Sequence, residues 1–107
     1  MEIQNYDYEQ YRRQIQGSKP VLVDFWAPWC TYCRRIAPAV EKMAEQVGDR
    51  ITIAKLNIDE VPQAAAEAKV DVIPTLILYR DGRALGTIVA PESKAKIEEF
   101  LRQTLGE

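Results

Sequence analysis

Val21-Leu22-Val23-Asp24-Phe25-Trp26-Ala27-Pro28-Trp29-Cys30-Thr31-Tyr32-Cys33 runs from an apolar stretch straight into the only two cysteines of the chain. Residues 21–27 are apolar except at Asp24, the composition of a parallel strand buried on both faces. Two thiols spaced C-x-x-C at a strand-to-helix junction can close a small disulfide ring and reopen it. So small a ring constrains little of the unfolded chain and adds little stability. Electron exchange is the better use for it, and a C-x-x-C beside a βαβ pattern reads as a redox motif.

On the N-terminal side, Tyr8, Tyr11 and Ile15 recur at helical spacing, and Gly17 and Pro20 end that helix. Tyr6, Tyr8 and Tyr11 read as core and staple contacts of this helix. On the C-terminal side, a helix runs from the cysteines to about Val47, with Ile36, Val40, Met43 and Val47 inward and Pro38 as a kink. A strand over 51–58 and a short helix over 61–68 follow. Thr75 to Tyr79 is a second buried strand. Asp81-Gly82 predicts a hairpin that pairs it antiparallel with 84–89. The last helix has Ser93 as cap, Ile97, Phe100, Leu101 and Leu105 inward, and Gly106 as stop. This order, with a minor strand before the first helix, makes an α/β chain: a mixed sheet covered by helices on both faces.

The 107 residues suffice for one core without staples. A net charge of −2, from 14 basic and 16 acidic residues without a block, gives no footprint for nucleic acid or anionic membrane. The start Met1-Glu2-Ile3-Gln4-Asn5 lacks the basic and apolar segments of a signal peptide, and no apolar run reaches membrane-span length. The expected location is cytoplasmic, where a C-x-x-C is catalytic or metal-binding more often than structural. Structural zinc takes four Cys or His ligands, whereas the chain has two Cys and no His, so no metal is expected. No G-x-G-x-x-G is present to hold a nicotinamide or flavin nucleotide, and no cofactor is expected.

The stretch from Val23 to Pro38, with Lys55-Leu56-Asn57-Ile58-Asp59 and Ile73-Pro74-Thr75-Leu76 after it, resembles the thioredoxin family in order and spacing along essentially the whole chain. The resemblance implies the thioredoxin fold, with a central mixed four- to five-stranded sheet, helices on both faces, and residues 1–107 as a single domain. It implies a thiol–disulfide oxidoreductase, a protein-disulfide reductase that acts as a monomer on disulfide-containing proteins and is recycled by a thioredoxin reductase or equivalent donor. Two departures stand out. The family's usual Gly-Pro between the cysteines is Thr31-Tyr32 here, and its usual glycine after the last strand is replaced by Ala90-Pro91.

Cys30 is expected at the helix start, where unpaired N–H groups and the helix dipole favour the thiolate. At a loop tip beside Pro28 and Trp29 it reads as exposed, and it is the candidate nucleophile. Cys33, one turn further in, reads as the resolving thiol. Asp24, read alone, is either a costly buried carboxylate or a strand-edge group reaching water. The resemblance implies that it is buried behind Cys33 as the base, with Lys55 beside it. By itself Lys55 reads as an exposed strand lysine. Pro74 alone reads as trans, and the resemblance implies cis, with the Ile73 backbone facing the cysteines. Trp29, Ile73, Pro74, Val89 and Ala90 would then line a groove for an extended substrate strand, with Trp26 packed under it. Arg34-Arg35 reads as a solvated helix face.

Thr31 and Tyr32 are the expected redox-tuning pair. A phenol donating to the Cys30 sulfur would stabilise the thiolate and make the protein a better oxidant. Tyr32 before the second cysteine also resembles dithiol glutaredoxins, which leaves a glutathione-dependent disulfide reductase as an alternative. A non-catalytic binding subunit on the same fold is another, although a pure scaffold needs neither thiol.

Overall fold

A computed structural model describes residues 3–106; Met1 and Glu2 of the start read above, and Glu107, lie outside the described residues. The order is β1 (Gln4–Asn5), α1 (Tyr8–Ile15), β2 (Val21–Trp26), α2 (Thr31–Val47), β3 (Thr52–Asn57), α3 (Pro62–Glu67), β4 (Thr75–Arg80), β5 (Arg83–Val89) and α4 (Lys94–Leu105). The strands form one five-stranded sheet in the order β1-β3-β2-β4-β5. β1, β3 and β2 run parallel, and β4 and β5 continue antiparallel. The mixed sheet and the predicted elements are all present, and the boundaries move by about a residue, as strand and helix ends do.

Successive side chains of a strand point to opposite faces, so β2 feeds two cores. Val21, Val23 and Phe25 join Tyr11 of α1, Ala64 of α3 and Leu56 of β3. Leu22 joins Ile36, Val40, Met43 and Val47 of α2 and Ile97 and Leu101 of α4. Each such buried side chain contributes roughly 1.5–3 kcal/mol. A charge at Val40 or Met43 would sit unpaired in this layer and break it.

Local chemistry sets the ends of the elements. Asp7 and Gln10 form a capping box at the start of α1, and Ser93 accepts from the Lys96 N–H at the start of α4. Asp81 and Gly82 both adopt positive φ, at 54° and 78°, as the tight turn between antiparallel strands requires. α2 continues past Pro38 as a single helix, although the ring supplies no N–H for the turn before it. At Gly86 a Cβ would lie 3.1 Å from the Thr104 Cγ2 and 3.2 Å from the Phe100 Cε1, so the missing side chain is what lets α4 lie so close to β5.

The topology brings four distant segments to one end of the sheet. The parallel strands β2 and β3 finish there, at Trp26 and Asn57. Antiparallel β4 begins there, with Thr75 opposite both Phe25 and Val89, the last residue of β5. The residues just beyond these ends are 27–30, 58–59, 73–74 and 90–91. In open α/β sheets, ligand sites form outside the carboxyl ends of the parallel strands.

Candidate active site

Cys30 is the N-cap of α2, with extended backbone, and its Sγ accepts a hydrogen bond from the Cys33 N–H at 3.2 Å. The two cysteines form a disulfide with their Cα atoms 5.3 Å apart. They pack with Ala27, and Trp26, Ile58 and Ile73 flank them. The expected exposure of Cys30 is not seen: the residue is 8% exposed and Cys33 4%. A local reading places Cys30 at a loop tip, but the ring turns its sulfur inward against Ile73, a neighbour from elsewhere in the chain. The Sγ lies 3.9 Å from the Ile73 carbonyl oxygen.

The Ile73–Pro74 peptide is cis, Ile73 is partly buried, and Pro74 is fully buried at the start of β4. Pro74 thus supports the groove from below, and its carbonyl accepts the Ala90 N–H at 2.8 Å. Trp29 is 64% exposed, and its indole Nε1 donates to both oxygens of Asp59, at 3.0 and 3.2 Å. Asp59 is held in turn by its own N–H, which donates to the Asn57 Oδ1 at 2.9 Å. Sequence reasoning assigned Asp59 no role; the only signal for it was its place in the landmark at the end of β3. Val72 and Val89, both about half exposed, share a shallow cleft with Thr75. Val72 was not foreseen.

Asp24 is 2% exposed, and its Oδ1 has no hydrogen-bond partner among the described residues. Its side chain shares the α2 and α4 face with Leu22 and Trp26, two residues either way along β2. Burial pushes its carboxyl up to about 7, and the positive charge of Lys55 pulls the other way. Lys55 lies directly opposite Asp24 in the β2–β3 register, half-buried, with its Nζ 4.1 Å from the centre of the Trp26 ring. It is therefore a packed lysine shared between a carboxylate and an indole, not the exposed lysine that the strand pattern alone implies. Trp26 packs beneath the site, and its Nε1 donates to the Asn5 Oδ1. Lys55 also lines a cleft of about 350 Å³ with Ile3, Asn5, Ala37, Val40, Glu41 and Glu45, away from the cysteines.

The expected phenol–sulfur contact is absent. Tyr32 sends its hydroxyl to the Pro91 carbonyl at 2.8 Å, and its ring packs against the α2 and α4 core. One turn along the helix surface separates Tyr32 from Ile36, and that spacing draws the ring inward along α2. Thr31, Arg34 and Arg35 are exposed. Among the described residues no group of three or more His, Cys, Asp or Glu could hold a metal ion, and no helix is long and apolar enough to cross a membrane.

The family model described as Thioredoxin matches residues 2–103. The chain is 44% identical over 95 residues to a thioredoxin of Alicyclobacillus acidocaldarius, covering 89% of this chain and 90% of that one. It is 45% identical over 91 residues to a thioredoxin of Acidithiobacillus ferridurans, covering 85% and 84%. The crystal structure of Malassezia sympodialis thioredoxin (Mala s 13) superposes with a TM-score of 0.88 at 31% identity, covering 97% of this chain and 94% of that one. A likeness this complete in sequence and backbone, around a C-x-x-C disulfide at a helix start, means that the chain belongs to the thioredoxin family and is a thiol–disulfide oxidoreductase.

Proposed function

We propose that Cys30 is the attacking thiol, Cys33 the resolving thiol and Asp24 the base that serves Cys33. In the dithiol form the Cys30 thiolate attacks one sulfur of a protein disulfide, forming a mixed disulfide and expelling the other sulfur as a thiolate. Asp24 then takes the Cys33 proton, and the Cys33 sulfur attacks the Cys30 sulfur. The Cys30–Cys33 disulfide forms, the second substrate thiolate leaves, and two electrons have passed to the substrate. An external thioredoxin reductase, or an equivalent donor, returns the pair to the dithiol.

The observation that carries this assignment is the Cys30 Sγ at the N-cap, accepting the Cys33 N–H at 3.2 Å. An oriented N–H and the positive end of a seventeen-residue helix both favour a thiolate at Cys30. Cys33 sits inside the first turn and has no such position. A carboxyl that burial pushes up to about 7 suits Asp24 to exchange a proton near neutral pH. Lys55 tunes this carboxyl, while Trp29, Ile73 and Ala90 form the walls along which an extended substrate segment lies, with Pro74 supporting them from below. Residues 1–107 act as a single domain, as a monomer, in the cytoplasm. No observation favours the glutathione-dependent or the non-catalytic alternative.

The test is alkylation of the reduced protein with iodoacetamide at neutral pH, with the modified thiol located by mass. Cys30 reacts faster than Cys33 by at least about tenfold. Cys33→Ser accumulates mixed disulfides with a protein substrate, and Cys30→Ser accumulates none. Equal alkylation rates would overturn this assignment, and trapping by Cys30→Ser would reverse the two roles.

A further inference from the structure

The two places where this chain departs from the usual family pattern are bonded to each other. Tyr32, in the position of the usual proline, donates its hydroxyl to the carbonyl of Pro91, beside the alanine that replaces the usual glycine. Pro91 is buried, and the Tyr32 ring is anchored on the α2 and α4 core, so both ends of this hydrogen bond are held. Ala90 has φ of 45°, in the left-handed region that residues with a Cβ seldom occupy. Such a conformation persists where its surroundings over-determine it. Here two bonds flank it: the Ala90 N–H donates to the Pro74 carbonyl, and the Pro91 carbonyl accepts from Tyr32.

These bonds run beside the reactive sulfur. They lead from Tyr32 to Pro91 and Ala90 and across to Pro74. The adjoining Ile73 carbonyl oxygen lies against the Cys30 sulfur at 3.9 Å, within one turn of α2 from Tyr32. The 90–91 segment therefore cannot move independently of the helix start that carries the cysteines. We propose that Tyr32 is a specificity-determining positioning residue. Through its hydroxyl it fixes the Ala90 wall of the groove for the polypeptide flanking a substrate disulfide, and it leaves the exchange chemistry itself untouched. The substrate class selected is an extended peptide segment long enough to lie against both Ile73 and Ala90. A small disulfide reaches the sulfur without touching that wall. This inference rests on the reading of Cys30 as the attacking thiol.

Tyr32→Phe tests it, because the variant keeps the packed ring and removes only the donor. Turnover is measured with dithiothreitol as electron donor, against insulin as the polypeptide disulfide and hydroxyethyl disulfide as the small one. Loss of one neutral hydrogen bond predicts a KM for insulin raised by about three- to tenfold with kcat unchanged. The kcat/KM for hydroxyethyl disulfide stays within about twofold of wild type. Hydrogen exchange at the Ala90 amide accelerates in the same variant. An unchanged KM for insulin, even with faster exchange at Ala90, overturns the proposal and leaves Tyr32 a purely structural tie. Equal losses on both substrates also overturn it, by placing Tyr32 in the thiol chemistry. A Cys33→Ser variant that gains no mixed disulfide with insulin at Cys30 removes the reading of Cys30 instead.

Discussion

The two faces of the sheet bury polar groups on opposite terms. On the α1 and α3 face, Tyr11 and Tyr79 bring their hydroxyls together at 3.0 Å, edge to face, beneath Phe25. Burial pushes both phenols up, so the pair stays neutral and its bond is kept. On the α2 and α4 face, Asp24 has an oxygen with no partner among the described residues, and Lys55, whose charge acts on it, sits over an indole. One face has settled its buried polar atoms into a stable contact. The other holds an ionisable group at a cost in stability, on the side of the sheet that carries the cysteines. Unsatisfied buried groups cluster where function requires them.

Asp24→Asn breaks that contrast with the largest expected effect on stability. The folded carboxyl titrates near 7 and the unfolded one near its ordinary value of 3.8. The folded state thus holds the proton more tightly than the unfolded state between those values. Ionising Asp24 in the fold therefore lowers stability progressively as pH rises from about 4 to 7, and the full penalty is present above 7. The variant is expected to be more stable than wild type at pH 8 by on the order of 2–4 kcal/mol, with the gain gone at pH 4. Urea denaturation at the two pH values measures this. The same variant resolves mixed disulfides more slowly than wild type, while attack by Cys30 is less affected. A variant less stable at pH 8 and fully active would mean that Asp24 is neither strained nor a base.

Tyr11→Phe sharpens the contrast from the other side. It leaves the buried Tyr79 hydroxyl without the partner it has now. A loss of roughly 1–2 kcal/mol follows, the penalty for an unpaired buried hydroxyl plus the lost bond. The loss is the same at pH 4 and pH 8, since neither phenol ionises in that range, and disulfide reduction is unchanged. A change to one polar group thus stabilises one face and destabilises the other. A pH-dependent loss would show the tyrosine pair to be coupled to a titrating group.

What was legible in the sequence follows from which interactions are local. β2, α2, the Asp81-Gly82 turn and the Ser93 cap are each written in a few adjacent residues, by period, turn chemistry or capping. The meeting of 27–30 with 73–74 and 90 came from the family resemblance, since no local pattern places those segments together. Contacts between side chains far apart in sequence were not legible. Trp29 finds Asp59, and Tyr32 finds Pro91. No local pattern encodes these partners. The misreading of Tyr32 is the instructive one: the donor was identified correctly, but its acceptor lies 59 residues away.

That misreading changes the reason for the smallest expected effect without removing it. With its hydroxyl committed to Pro91, Tyr32 can influence the sulfur only through its backbone. As the second residue of α2 it carries one of the first-turn N–H groups that lack a helical acceptor and converge on the N-cap. The usual family proline has no N–H at that position. A thiolate at Cys30 has one more donor nearby in this chain, and a stabilised dithiol is a better oxidant. The Thr31-Tyr32→Gly-Pro double substitution is therefore expected to lower the reduction potential by about 10–30 mV, measured against a glutathione buffer; 30 mV is about 1.4 kcal/mol for a two-electron couple. Tyr32→Phe keeps the N–H and leaves the potential unchanged. A potential that falls equally in both variants would return the effect to the hydroxyl and contradict the acceptor seen at Pro91. A potential unchanged in both would mean that the poise of this pair is set outside the two intervening residues, with the Asp24 carboxyl on the same face of the sheet the next group to vary.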